Sequence, residues 1–152
     1  MSTIRVSQEQ IDRLRAHAEL IYPEECCGLL LGTINGSDKI LVEVRETENS
    51  WGEEAAEFFP GMRGSRCDRF SIAPEILLKV QKETRDRHLS IIGIYHSHPD
   101  HPAIPSEFDR EIAWQQYSYI IISVDRGRAA MPYSWTLDEA HQFHREGIVT
   151  IG

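Results

Sequence analysis

Two apolar runs narrow the folds open to this chain. SIIGIYHSH (90–98) and YSYIIISVD (117–125) each have the length of a strand and are apolar along most of it. Strands of that kind are covered on both faces, so they belong inside a sheet with helices packed against it. The rest of the chain supplies those helices. Ser7 precedes QEQIDRLRAHAELIY, with Gln10 three positions on, which reads as a capping box. Ile11, Leu14, Ala18 and Ile21 then recur at helical spacing, and Pro23 ends the helix. PEILLKVQKETRDRH (74–88) predicts a second helix with Pro74 in its first turn. A third is expected from about Ser106 to Tyr117.

Between the helices, CCGLLLG (26–32) reads as a buried strand, NGSD as a turn and KILVEVRET (39–47) as the hairpin partner. Short strands are expected at 3–6 on an edge, at RFSIA, at AMPYSWTLD with Pro132 favouring an edge, and at the end of the chain. HQFH (141–144) has two histidines at helical spacing and reads as a solvated helix face without function. The sum is α/β: a single domain over residues 1–152, with a mixed β-sheet flanked by helices.

Charge and cysteine usage remove several classes of function. The formal net charge is −8 and no Lys/Arg cluster stands out, which argues against a nucleic-acid partner and against anionic lipid. No apolar run approaches the ~18 residues that would span a membrane, and the N-terminus lacks a signal-peptide core. Cys26, Cys27 and Cys67 are odd in number and two are adjacent, a poor disulfide framework that suits a reducing compartment. A cytoplasmic protein is expected, of undetermined oligomeric state.

The chemistry concentrates in YHSHPDHPAIPSEFD (95–109). His96 and His98 are two apart on a strand, so both imidazoles project from one face. Ser106 and Asp109 are three apart on a helix and share a face too. Two histidines and a carboxylate leave the fourth position of a tetrahedral zinc open, as catalytic sites do. SEFD also fits an ordinary helix cap. His101 is a rival third ligand, ranked below Asp109 because a proline-flanked turn histidine is usually exposed.

H-S-H-P, seven residues, then S-x-x-D resembles the JAMM motif of MPN-domain zinc metalloproteases, isopeptidases of the deubiquitinase type and their small stand-alone prokaryotic relatives. PEECCG resembles the upstream P-x-E-x-C-G context of that family. The resemblance implies the MPN fold, which is cytidine-deaminase-like, and one zinc per chain held by His96, His98 and Asp109. It implies Glu25 as the base that takes a proton from the attacking water, and Ser106 as a donor to the oxygen of the tetrahedral intermediate. It further implies a substrate: a ubiquitin-like sulfur-carrier protein, cleaved after its Gly-Gly tail.

Other readings remain beside it. The same donor set suits an iron oxygenase, although Ser106 and Glu25 then have no role. Cys26 or Cys27 could be a thiol nucleophile, but their apolar surroundings favour core packing. A binding module that holds a ubiquitin-like partner without cutting it is the non-enzyme alternative. Residues 48–68 lack a clean period and are a candidate lid or partner-binding loop, with Trp51, Phe58, Phe59 and Met62 as its apolar contacts.

Overall fold

The computed structural model describes residues 2–52 and 64–151. Its strands are β1 (Thr3–Ser7), β2 (Cys27–Asn35), β3 (Asp38–Thr47), β4 (Ser90–Pro99), β5 (Ser118–Asp125), β6 (Arg128–Ala129), β7 (Tyr133–Leu137) and β8 (Phe143–Ile151). Its helices are α1 (Gln8–Ile21), α2 (Pro74–Asp86) and α3 (Glu107–Ile112).

The capping box forms as the sequence predicts. Ser7 Oγ accepts from the Gln10 backbone N–H at 3.1 Å, and Gln10 Oε1 accepts from the Ser7 N–H at 2.8 Å. Gln10 Nε2 then donates to the Leu41 and Val42 carbonyls, so one side chain both starts α1 and ties it to β3.

Among the described residues the strands form one mixed sheet in the order β4-β2-β3-β1-β8-β7-β5-β6. β4 also pairs with β5, in parallel, from Gly93–Ser118 to Pro99–Val124. Seven strands therefore close into a ring, and β6 hangs from the end of β5. The strand order corrects two expectations. β1 is not an edge strand: it runs parallel to both β3 and β8, with Ile4 and Val6 buried. β7 is not an edge strand either. It lies between β8 and β5, and Pro132 stands just before its first residue, where the missing N–H costs no ladder bond.

Three further expectations change. RFSIA forms no strand, because the Ser71 N–H goes to the Asn49 side chain instead of a neighbouring strand. The third helix ends at Ile112 rather than near Tyr117. Ala113 is already extended, and the Trp114 N–H donates to the Tyr119 hydroxyl at 2.7 Å. HQFH is not helical: His141 sits in a turn at φ 63° and His144 belongs to β8. The Asp138 carboxylate organises that turn, accepting from the Ala140 and Gln142 N–H groups and from His144 Nε2.

The two faces of the sheet bury different cores. Ile4, Val6, Leu30, Leu41, Ile92, Ile120 and Ile122 pack with Ile11, Leu14 and Ala18 of α1. On the other side Leu29, Leu31 and Ile91 meet Val80 of α2, while Cys27 joins Trp51, Phe70 and Phe108. The register of β4 against β2 shifts between Leu30–Gly93 and Leu31–Ile91, which leaves Ile92 as an extra residue on β4. Such a bulge reverses which residues face which side. Past it, Tyr95 turns to the α1 core while Ile94 packs with the second core.

Gly28 shows how tight this region is. Tyr95 and the Arg45 carbonyl leave no room for a Cβ there, and the Tyr95 hydroxyl continues to His17 Nδ1 at 2.8 Å. Gly28→Ala is expected to destabilise the protein by about 1–3 kcal/mol or more, as overpacking does. Thermal denaturation of the purified variant checks this.

Candidate metal centre

Past the bulge, His96 and His98 share a face of β4, and the first turn of α3 brings Asp109 onto them. All three side chains are buried. His96 Nε2 and His98 Nε2 are 3.1 Å apart, and each lies 3.1 Å from Asp109 Oδ2. The three atoms form an equilateral triangle. Zinc bonds of about 2.0–2.1 Å at tetrahedral angles put donor atoms about 3.3 Å apart, close to that spacing.

Proton counting supports a cation there. His98 Nδ1 lies 2.8 Å from the Pro102 carbonyl, which can only accept, so Nδ1 carries a hydrogen. In the neutral ring Nε2 is then a bare lone pair, and it faces a carboxylate oxygen. A cation between them turns that opposition into ligation. These residues fit zinc.

The electrostatics agree. Burial pushes the pKa of His96 down, which favours the neutral imidazole that ligates metals. Burial alone would raise the Asp109 carboxyl; a positive charge at the imidazole nitrogens outweighs it and holds the group well below the usual carboxylate range, and with neutral rings a cation takes that place.

The turn after β4 is clamped one carbonyl at a time. Ser123 Oγ donates to the His101 carbonyl at 2.7 Å, His98 Nδ1 to that of Pro102, and Trp135 Nε1 to that of Ala103 at 3.1 Å. A ligating histidine is commonly oriented in this way through its other nitrogen. Phe70 covers the opposite side, stacked on the His96 ring at 4.5 Å. Sequence reasoning missed Ser123, Trp135 and Phe70. Each meets the site only through strand pairing or chain return, and no local signal could have singled them out.

Ser106 caps α3: its Oγ accepts from the Asp109 N–H at 3.1 Å, and its own N–H donates to Asp109 Oδ2 at 2.9 Å. The helix-cap reading of SEFD is therefore right. The cap also fixes Asp109, since the oxygen that accepts from Ser106 is the one facing both imidazoles. Accepting a hydrogen bond leaves the Ser106 hydroxyl hydrogen available to donate.

Glu25 is 4% exposed, and its Oε1 makes no hydrogen bond among the described residues. Burial first, then repulsion from Asp109 and Asp68, pushes its pKa up to about 9. A carboxyl so placed holds its proton at neutral pH until a nearby cation favours the carboxylate, which makes it a candidate for proton transfer. Glu24 is half-buried beside it.

The remaining candidates fall outside. His101 is exposed and stands apart from the three-residue cluster. Cys26 and Cys27 are buried, and burial raises each thiol to about 12, so neither is a thiolate at neutral pH. Trp51 folds back onto Phe108 at 5.2 Å and donates to the Gly64 carbonyl, so it belongs to the core and not to a lid. Phe58, Phe59 and Met62 lie outside the described residues.

The ring of strands and the cluster at the end of β4 are those of a JAMM-type domain. Residues 7–138 match the family described as prokaryotic homologs of the JAB domain, and the chain belongs to that family. It is 28% identical over 118 residues to the desampylase of Haloferax volcanii, covering 77% of this chain and 73% of that one. It is 37% identical over 70 residues to a probable TtuB-protein conjugate cleaving protease of Thermus thermophilus, covering 46% of this chain and 47% of the relative. The solution structure of a Desulfitobacterium hafniense protein superposes with a TM-score of 0.79 at 27% identity, covering 98% of this chain and 93% of that one. None of the described helices is long and apolar enough to cross a membrane.

Proposed function

We propose that this chain is a zinc metallopeptidase that cleaves the peptide or isopeptide bond after the C-terminal Gly-Gly of a ubiquitin-like or sulfur-carrier protein. The observation that carries the reading is the triangle of His96 Nε2, His98 Nε2 and Asp109 Oδ2 at 3.1 Å, together with the buried Glu25 carboxyl, whose Oε1 has no hydrogen-bond partner among the described residues. Relatives named as a desampylase and as a conjugate-cleaving protease support the substrate class.

In this reading His96, His98 and Asp109 hold one zinc. When bound, zinc would supply Lewis acidity toward a water and a carbonyl. Glu25 accepts the proton of the attacking water and later gives one to the departing amine. A bound cation would favour its carboxylate form, which can accept, while burial favours the protonated form that can donate. Ser106 donates its hydroxyl hydrogen to the carbonyl oxygen as charge develops there. A soluble, cytoplasmic setting and a single domain over residues 1–152 belong to the same proposal.

The test is elemental analysis of chelator-free protein together with cleavage of a fusion joined through a Gly-Gly tail. One zinc per chain and release of the tail are expected. Iron in place of zinc, or zinc without hydrolysis of any such conjugate, overturns the reading. Ser106→Ala adds a graded check. It should lower kcat about 10²–10³-fold, as loss of an oxyanion donor does. Because Ser106 also caps α3, stability should fall by about 1 kcal/mol. Parallel kinetics and melting curves separate the two effects.

A further inference from the structure

Asn49 lies half-buried between two segments that are remote in sequence, and also bonds its near neighbour Trp51. Its Nδ2 donates to the Glu25 carbonyl at 3.1 Å and to the Arg69 carbonyl at 2.9 Å. Its Oδ1 accepts from the Trp51 N–H at 3.0 Å and from the Ser71 N–H at 3.2 Å. An Asn amide has two donor hydrogens and two acceptor lone pairs, and all four are used. The amide orientation is unambiguous, because flipping it would set oxygen against two carbonyls and NH₂ against two N–H groups.

The partners matter more than the count. Arg69 and Ser71 bracket Phe70, the ring stacked on His96. Glu25 is the candidate base. Its own N–H donates to the Arg66 carbonyl at 2.6 Å, within the same returning segment. The Ser50 N–H donates to the Ser71 carbonyl at 2.8 Å. The chain at 64–71 is in no helix or strand, so these side-chain bonds stand in for a ladder.

We propose that Asn49 is a positioning residue: it fixes the backbone at Glu25 and at Arg69–Ser71, holding the base and the Phe70 cover in register with the His96–His98–Asp109 cluster. The proposal rests on the reading of Glu25 as the base. The metal ligands themselves come from β4 and α3, which Asn49 does not touch. Its loss should therefore separate turnover from metal binding.

Asn49→Asp is the sharpest variant. It keeps an acceptor for Trp51 and Ser71 but turns a carboxylate oxygen toward two carbonyls. Asn49→Ala reads the same quantities without added charge and serves if the aspartate variant does not fold. The full chain is loaded with zinc and measured three ways: kcat and KM on a Gly-Gly-tailed conjugate, zinc affinity by chelator competition, and the crystal structure of the variant. The expected result is kcat about 100-fold lower, the cost of a misplacement near 1 Å, with KM and zinc affinity unchanged and the Glu25 carboxyl displaced. A variant as active as the wild type overturns the proposal. So does zinc lost in proportion to activity, which would make Asn49 a support of the whole site. If the wild type cleaves no conjugate, the functional reading fails by itself. The position of Glu25 in the variant then decides the case for Asn49, since an unmoved side chain overturns it.

Discussion

Asp109→Ala is expected to leave the protein unable to retain zinc. The argument rests on one atom. Asp109 Oδ2 is the third corner of the donor triangle and also accepts the Ser106 N–H. Removing it deletes the sole anionic ligand, leaving two neutral imidazoles against a divalent cation. Losing an outer-shell partner already costs about 10–100-fold in affinity, so the loss of a ligand should exceed that. The first turn of α3 loosens as well, because the Ser106 N–H has lost its acceptor. Elemental analysis before and after dialysis against a weak chelator reads the result directly. His101→Ala is the control: its side chain is exposed and outside the cluster, so zinc content should not change. Zinc retained by Asp109→Ala and lost from His101→Ala would refute the ligand set. Acid provides a second handle. The imidazoles must be neutral to ligate, so zinc is held at neutral pH and released as they protonate. Burial keeps His96 neutral to lower pH than a free imidazole, which moves release in the acid direction.

Much of this site can be read in the sequence because its donors lie close together in the chain. His96 and His98 are fixed by strand alternation, and Ser106 and Asp109 by a capping box, so local rules place both pairs. What the sequence could not say is that the sheet closes. The pairing of β4 with β5 joins strands that are separated by a helix, while β1 and β7 become interior through long-range partners, β3 and β8 for the first and β8 and β5 for the second. RFSIA has strand-like composition and is no strand, because Asn49 takes the bonds a neighbouring strand would have taken. Lys39 and Glu146 are both buried, joined through the Ser118 hydroxyl, which accepts from Lys39 and donates to Glu146. Only the ring brings β3, β5 and β8 together, so residue type alone could not reveal that pairing. The sequence predicts a longer third helix because nothing local to Ala113–Tyr117 signals that Tyr119 will claim the Trp114 N–H.

Glu25→Gln is expected to keep zinc, lose turnover by about 10²–10⁴-fold as removal of a general base does, and make the metal-free protein more stable. The last effect distinguishes this carboxyl from a surface one. In the folded, metal-free protein burial lifts Glu25 from its ordinary 4.5 to about 9. Below pH 4.5 it is protonated whether the chain is folded or not, and it contributes no pH dependence. Between about 4.5 and 9 the unfolded chain ionises while the folded one holds its proton, so the folded state binds more protons and stability falls as pH rises. Glutamine does not titrate. The difference in melting temperature between Glu25→Gln and wild type, both stripped of metal, should therefore widen in favour of the variant from pH 5 to pH 9. A gap that stays flat or narrows over that range would mean Glu25 is not held in a desolvated position. A bound cation opposes the same burial by favouring the carboxylate, so zinc should shrink the gap at every pH above 5. Stability that is given up without metal and recovered with it is the thermodynamic mark of a carboxyl kept in place for its proton chemistry and not for packing.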